Sequence, residues 1–577
     1  LFSSMFAKPV ADKIYNLILS WIIVSALFFI NSRRGFVDLQ ADRYAALVIL
    51  VAIAAVILIW LLINMIESQR NIRLFMIGFS TVYAAAAVAL DSDELLALGL
   101  CAVMGIIILI TDTKDIQPEI GKKSFRNTAL VLSLLFIAVV SCNSSLIIIN
   151  HWAPNFDFGI FSQMFHYMKE TGIPFTTCER DMLLSHFAVH MSPIYYVLLP
   201  FYCLFPSPVT LETLQAIVVV SGVIPLILIM KRHSLGRGSM MLFTLMYVLF
   251  PGFAGGCFDH LHENCFLAPL VLWLIYFSEK ELWYGQAIFA ILTFAVKEDA
   301  AIYVAAISLF FLFTRKNRLV NLIIFVVSVL YFACITHYLT INGDGVQMWR
   351  YGDLLINGDG PLSILVTVIT NPIYVLKQIF VAGKLKFIFM TLLPMGFLPL
   401  ITKDFRRPIL MIPLLLVNLL PSIEYQYSMH YHYCFGSCAM LIYMAIINYA
   451  DLPQVHRKKL LIYGACCSII MCSCVNYGDF KYFKFFNSST ETREEIDYAV
   501  SQVPKDASVA AGTYFVADFA DHETVYDLDS TENEADYYVL DLRFDEDDYD
   551  VNDFLNDNYG VIYYNPDVVG VFKNLRK

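Results

Sequence analysis

The chain has 577 residues, 58% of them hydrophobic and only 15% charged, with 50 acidic against 39 basic side chains and a net charge of −11. A soluble globular chain is nearer 25% charged, so an ordinary soluble enzyme is excluded. The acidic balance also excludes nucleic acid as a partner.

Apolar blocks of ~15–22 residues recur from the start, the length scale of bilayer-spanning helices. Residues 1–13 lack a cleavable signal pattern, so the first block is expected to remain as an anchor. Basic loops at 67–73, 111–127, 230–238, 315–318, 402–407 and 456–459 set those loops inside. Spans then fall near 14–30, 44–66, 72–90, 94–110, 128–149, 209–229, 239–256, 264–278, 283–296, 300–314, 319–339, 385–401, 408–421, 434–449 and 460–476. The expected fold is therefore a polytopic α-helical membrane protein of about fifteen transmembrane helices, with the N-terminus inside. Residues 191–205, with Pro193 and Pro200, read as an interfacial helix; residues 363–383, interrupted by Pro372, read as a second such element.

From Gly478 onward there are 23 acidic and 8 basic residues, whereas the rest of the chain carries 27 and 31. Globular patterning resumes there: a helix over 492–504, strands over 507–512, 524–528, 536–543, 560–565 and 568–574, and a short helix over 551–558. This is a small acidic α/β domain outside the membrane. The run "RFDEDDYD" (543–550) is a solvated loop or a calcium attractor, without EF-hand spacing. Thirteen cysteines lie mostly in apolar runs and read as small hydrophobes. Cys257 and Cys265 alone flank a polar segment in a way that would suit a bridge.

On this topology the unusual polar residues collect on the outer face. Asp157, in "NFDFG", is an N-cap or a partly desolvated proton acceptor. "TCERDMLLSHFAVH" supplies Arg180, a match for phosphate, and His186. "CFDHLHENCF" (257–266) packs Asp259, His260, His262 and Glu263 together. It reads as a helix start, a metal site through His260 and His262, or a site with catalytic carboxylates Asp259 and Glu263. His-x-His in an extended strand would place both rings on one side. Lys297, Glu298 and Asp299 form a helix–helix turn or a phosphate-binding group. His430 and His432, among tyrosines, belong to an aromatic belt or to a sugar-binding pocket.

The order of "NFDFGIFSQMFHYMKETG", "HFAVHMSPIYYVLLPFYCLFPSP", "DHLHE", "VKEDAAI", "HYHY", "VPKDASVAA" and "ADYYVLDL" resembles that of domain of unknown function 2079, a family of bacterial and archaeal membrane proteins. The resemblance covers about residues 125–577, leaving 1–125 as a four-span extension. Members have an Asp-x-His-Pro-Glu-like stretch where this chain has Asp259-His-Leu-His-Glu263. The family is similar in layout to GT-C-fold glycosyltransferases: an acidic residue in the first outer loop, a juxtamembrane helix, then a span ending in basic residues.

The resemblance implies three regions: 1–125, a GT-C-like core at 126–477 with an outer loop at 150–208, and an extracytoplasmic α/β domain at 478–577. It places Asp157 at the catalytic position. The expected activity is sugar transfer from a polyprenyl-phosphate donor to an envelope acceptor at the outer face of the cytoplasmic membrane. Arg180, His186, His262, Lys297, Glu298, Asp299, His430 and His432 are candidate substrate contacts. No cofactor is required and a divalent metal is optional. Membrane lipids are the other expected partners. A flippase for a lipid-linked glycan, which needs broken mid-membrane helices, and a non-catalytic receptor are the alternatives.

Overall fold

The computed structural model describes residues 9–32, 45–91, 93–112, 120–315, 317–344, 347–356, 358, 360–475, 489–544 and 550–577. Backbone amides in lipid have no outside partner, so the apolar segments close their hydrogen bonds as helices. Among the described residues eight helices are long and apolar enough to cross a bilayer: Val10–Phe29, Gln69–Leu90, Lys122–Ile149, Pro208–Arg232, Arg237–Phe258, Arg318–Asn342, His432–Asp451 and His456–Val475. A ninth arises if Pro361–Thr370 and Pro372–Ile379 count as one; they meet at 104°. The break falls at Pro372, whose ring and missing N–H interrupt the helix.

The sequence predicts about fifteen spans; the apolar helices Ala45–Asn64 and Glu94–Ile110 stand at two more of them, and others are short or divided by proline. Trp283–Phe294 and Ala300–Thr314 reach ~18 and ~22 Å at 1.5 Å per residue, short of a ~30 Å hydrocarbon core. The span expected at 385–401 ends as helix at Leu392 and continues as two 3₁₀ turns around Pro394 and Pro399. That expected at 408–421 is a 3₁₀ turn, Arg407–Met411, and a π turn, Leu414–Leu419, separated by Pro413. Residues 191–205 form a 3₁₀ turn, Pro193–Val197, and a short helix, Leu199–Leu204. Tyr195 and Leu198 are buried while Phe201, Leu204 and Phe205 are exposed, which gives the element one protein face and one apolar outer face.

A single apolar cluster runs from Tyr15 to Val475. The helices Gln69–Asp91 and Glu94–Ile110 pack on Gln454–Val475, with Met76, Val88, Ala97 and Cys101 fully buried. The N-terminal helices are thus joined to the main bundle. Cys257 and Cys265 are buried free thiols, so the bridge considered from sequence is not formed.

In the loop after Lys122–Ile149, strands β1 (Phe175–Thr176) and β2 (Leu184–Ser185) pair antiparallel. The C-terminal region holds the helix Thr490–Ser501 and strands β3 (Val509–Ala511), β4 (Val525–Asp527), β5 (Tyr537–Asp541), β6 (Tyr559–Asn565) and β7 (Val569–Asn574). The sheet order is β4-β3-β5-β7-β6. β3 lies parallel to β4 and β5, and β7 antiparallel to β5 and β6. The expected helix at 551–558 is a 3₁₀ turn, Val551–Asp553, and most of the acidic run 543–550 falls outside the described residues. The core of this sheet includes Ile160 and Cys178 from the loop, beside Val509, Phe515 and Val539.

Candidate functional site

The segment Asp259–Glu263 succeeds the helix Pro251–Phe258. His260 takes φ = +79°, in the left-handed region. This interrupts the extended run on which same-side His260 and His262 rings depend. His260 packs its ring edge-on to Phe158, and burial pushes its pKa down to about 4. The helix Pro208–Ser221 cradles residues 260–262. Leu261 N donates to Glu212 Oε1 (2.8 Å), His262 N to Gln215 Oε1 (2.9 Å), and Gln215 Nε2 to the His260 carbonyl (2.8 Å).

Glu263 is fully buried and has a partner at each oxygen. Tyr195 Oη donates to Oε2 at 2.6 Å and accepts from Glu263 N at 3.0 Å, while Lys297 Nζ lies 2.9 Å from Oε1. Burial alone raises a carboxyl, but Lys297, His190, His186 and the Tyr195 hydroxyl outweigh it and hold Glu263 at about 2. Burial likewise disfavours the Lys297 ammonium, yet Glu263, Glu298 and Asp299 outweigh it and raise its pKa. The turn at 297–299 also anchors the neighbouring loop: Met191 N donates to Glu298 Oε2, and His190 Nδ1 lies 3.0 Å from Oε1. Burial pushes Asp299 up to about 6, against Lys297.

His432 reaches this place because the segment 429–435 presses on small residues. A Cβ on Gly255 would lie 2.1 Å from the Met429 carbonyl oxygen, and one on Gly252 2.5 Å from Cys434 Sγ. His432 stacks on His262 with ring centroids 3.4 Å apart and planes within 9°. Its Nδ1 is 3.0 Å from Asp259 Oδ2, and His262 Nδ1 is 3.0 Å from Glu263 Oε2. Burial, then the Lys297 charge, drives His262 well below its usual pKa, which keeps the ring neutral.

Asp157 lies in the π turn Asn155–Gly159. Surrounding protein desolvates it, and Glu263 adds repulsion. Against the pull of Lys297, its carboxyl rises to about 7. One oxygen of Asp157 and one nitrogen each of His262 and His432 lie within 4.8 Å of one another. Among the described residues these three form the group that could hold a metal ion, and it includes His432 where the sequence suggests His260.

Asp157, Asp259, His262 and His432 line a cavity of about 410 Å³ with Glu179, Arg180, His186, His190 and Arg350. Arg180 Nε donates to Asp344 Oδ2 at 2.7 Å. Arg350 lies over the rings of Tyr425 and Tyr433, at 5.5 and 5.3 Å. Among the described residues no carboxylate forms an ion pair with it. His186 is buried beside Glu179, at 3.4 Å. Burial raises the Glu179 carboxyl, but His186, His190 and Arg180 outweigh it and hold Glu179 below the usual range.

The C-terminal domain grips the loop that carries Asp157. Asn155 Nδ2 donates to Asp527 Oδ2 at 2.9 Å, and Thr177 Oγ1 donates to the Val525 carbonyl at 2.7 Å. His151 sits 2.8 Å from Asp518 and 3.2 Å from Asp497, and Arg543 donates to the His151 carbonyl.

Of the residues singled out from sequence, Asp157, Arg180, His186, Asp259, His262 and His432 line the cavity. Glu263, Lys297 and Glu298 connect to it through the contacts above, and Asp299 adjoins them in the chain. His430 does not: it is half-exposed and lies 3.5 Å from Glu94. Arg350 is a cavity residue that sequence reasoning missed, although a lone arginine in "QMWRYGD", flanked by aromatics on the expected outer face, was a usable signal. Tyr195, Glu212, Gln215 and Asp527 were missed as well, and nothing local marks them.

Fold and site together define a polytopic membrane protein with a polar cavity between interhelical loops, held against a small α/β domain. The model of a family described as "Predicted membrane protein (DUF2079)" matches residues 152–555, and the chain belongs to that family. No curated protein matches the sequence. Solved structures similar to the chain include two of one protein. Apo ArnT from Cupriavidus metallidurans has 10% identity and a TM-score of 0.44, over 78% of this chain and 98% of that one. The same protein bound to undecaprenyl phosphate has 10% identity and a TM-score of 0.42, over 77% and 97%.

Proposed function

We propose that the protein is a glycosyltransferase that moves a sugar from a polyprenyl-phosphate donor to an envelope acceptor at the outer face of the cytoplasmic membrane. One observation carries this reading: Asp157, with its pKa raised to about 7, shares a cavity with the Arg350 guanidinium, which has no carboxylate partner among the described residues. A carboxylate of that basicity can take a hydroxyl proton. A stacked guanidinium suits a phosphate leaving group.

In this mechanism the acceptor oxygen bonds to the anomeric carbon as the bond from that carbon to the phosphate oxygen breaks. The acceptor proton passes to Asp157, and the electron pair leaves with the lipid phosphate. Arg350 meets that charge as preorganised electrostatic stabilisation, with Arg180 at the same cavity wall. Lys297 and Glu263 form a neutral pair that fixes the cavity floor. The distribution of Lys/Arg loops supports the outer-face placement.

The test is Asp157→Asn expressed in the native host at matched protein level. The expected result is loss of envelope glycosylation with accumulation of the lipid-linked sugar. An unaltered glycan profile and donor pool would overturn the reading.

A further inference from the structure

Each of the two stacked imidazoles has a carboxylate beside its Nδ1, hydrogen-bonded in the case of His432 and in proximity only in the case of His262. Asp259 Oδ2 faces His432 Nδ1, and Glu263 Oε2 faces His262 Nδ1, both at 3.0 Å. His432 Nε2 is buried and has no hydrogen-bond partner among the described residues. A carboxylate on one ring nitrogen orients the ring and leaves the other nitrogen's lone pair for a ligand, the second-sphere arrangement found behind metal-binding histidines. Asp157 closes the group, with one donor atom per residue and all three within 4.8 Å.

We propose that Asp157, His262 and His432 bind one divalent transition-metal ion, with Asp259 orienting the His432 ring. Two imidazoles and a carboxylate suit Zn²⁺ or Co²⁺ better than Mg²⁺ or Ca²⁺, which prefer all-oxygen shells. Three protein ligands leave a fourth tetrahedral position open to the cavity. Bonds of about 2.0–2.1 Å at tetrahedral angles need donor atoms about 3.4 Å apart, so the three donors draw together. The rings also turn out of their parallel stack, so that their lone pairs converge. The charge of Lys297 does not oppose binding at full strength, because Glu263 answers it at 2.9 Å. The proposal deepens the transferase reading of this cavity and rests on it only for one consequence: a metal-bound Asp157 cannot also accept a proton.

The test uses the full chain, purified in detergent, stripped with a chelator and titrated with Co²⁺. Retained metal is measured after gel filtration, and the visible ligand-field bands are recorded. One Co²⁺ per chain, displaced by Zn²⁺, is the expected result. His262→Gln, His432→Gln and the near-isosteric Asp157→Asn should lose the bands. Asp259→Asn should weaken binding ~10–100-fold. His430→Gln, outside the cavity, should bind as the native chain does.

No retained metal, or unchanged bands in all three ligand variants of native elution profile, would overturn the site. Asp157→Asn keeps the assay decisive should either histidine variant misfold. Transfer assays on the same samples separate the two readings. Transfer by the stripped chain together with cobalt binding supports both. Transfer only after metal is returned supports the metal site and removes the free-base role of Asp157. Metal binding with no transfer in any form supports the metal site and overturns the transferase.

Discussion

Asn155 donates its amide to Asp527 at 2.9 Å across 372 positions of sequence. The carboxylate ends β4, and the amide stands two residues before Asp157. Asp527 is 5% exposed and also accepts from Thr513 Oγ1. The position of the candidate acid is therefore set partly by the last hundred residues. Removing the amide leaves a buried carboxylate short of a donor, at a cost of about 1.5–3 kcal/mol for a hydrogen bond to a charged group. Asn155→Ala should lower the thermal midpoint and speed proteolytic release of the C-terminal domain. A native midpoint and native protease resistance would refute this coupling.

His151 adds a pH-dependent link at the same junction. Burial disfavours its charged form, but Asp518 and then Asp497 outweigh that, against Arg543, so its pKa lies above the ordinary value. Protons bind the folded state more tightly than the unfolded one. The stabilisation is therefore complete below about pH 6.5, the unperturbed histidine value. It is lost as the pH rises through the folded value. The protease resistance of the junction should fall as the pH rises above about 6.5, and His151→Gln should flatten the profile. Equal slopes in the two proteins would count against the link.

Lys297 and Glu263 depend on one another. Lys297→Met leaves Glu263 charged and fully buried without its cation, a loss of about 3–5 kcal/mol. The double change Lys297→Met with Glu263→Gln should recover most of that stability, because Tyr195 can still donate to the amide oxygen. A double-mutant cycle by thermal unfolding reads this directly, and additive losses would refute it.

Gly255 permits the close approach of residues 429–435. An added Cβ would sit 2.1 Å from the Met429 carbonyl, so the backbone must shift, and overpacking of this kind costs about 1–3 kcal/mol. Gly255→Ala should reduce transfer or cobalt binding more than Gly78→Ala, where the added methyl meets nothing within 4 Å. The comparison is made at equal expression and equal elution volume.

Much of the bundle was legible because long apolar runs and bilayer length define the same segments. The long helices such as Lys122–Ile149 and Arg318–Asn342 lie where the hydropathy pattern puts them. The count was less legible where prolines such as Pro394 and Pro413 divide an apolar run into turns. The strands β3–β7 follow their alternating and apolar patterns. In the site, charged residues in an apolar chain could be picked out one by one, but their partners could not. His432 joins His262 through glycines 252 and 255, and one left-handed residue turns His260 away. Asp527 and Gln215 act through contacts far apart in sequence, which no local pattern records.

The sheet core that encloses Ile160 and Cys178 has a consequence for biogenesis. Those two residues leave the ribosome more than three hundred positions before the strands that cover them. The loop bearing Asp157 therefore cannot reach its final packing until β7 has been synthesised. Chains cut short before β3 lack the strands that cover Ile160 and Cys178, and the loop bearing Asp157 is left without that support.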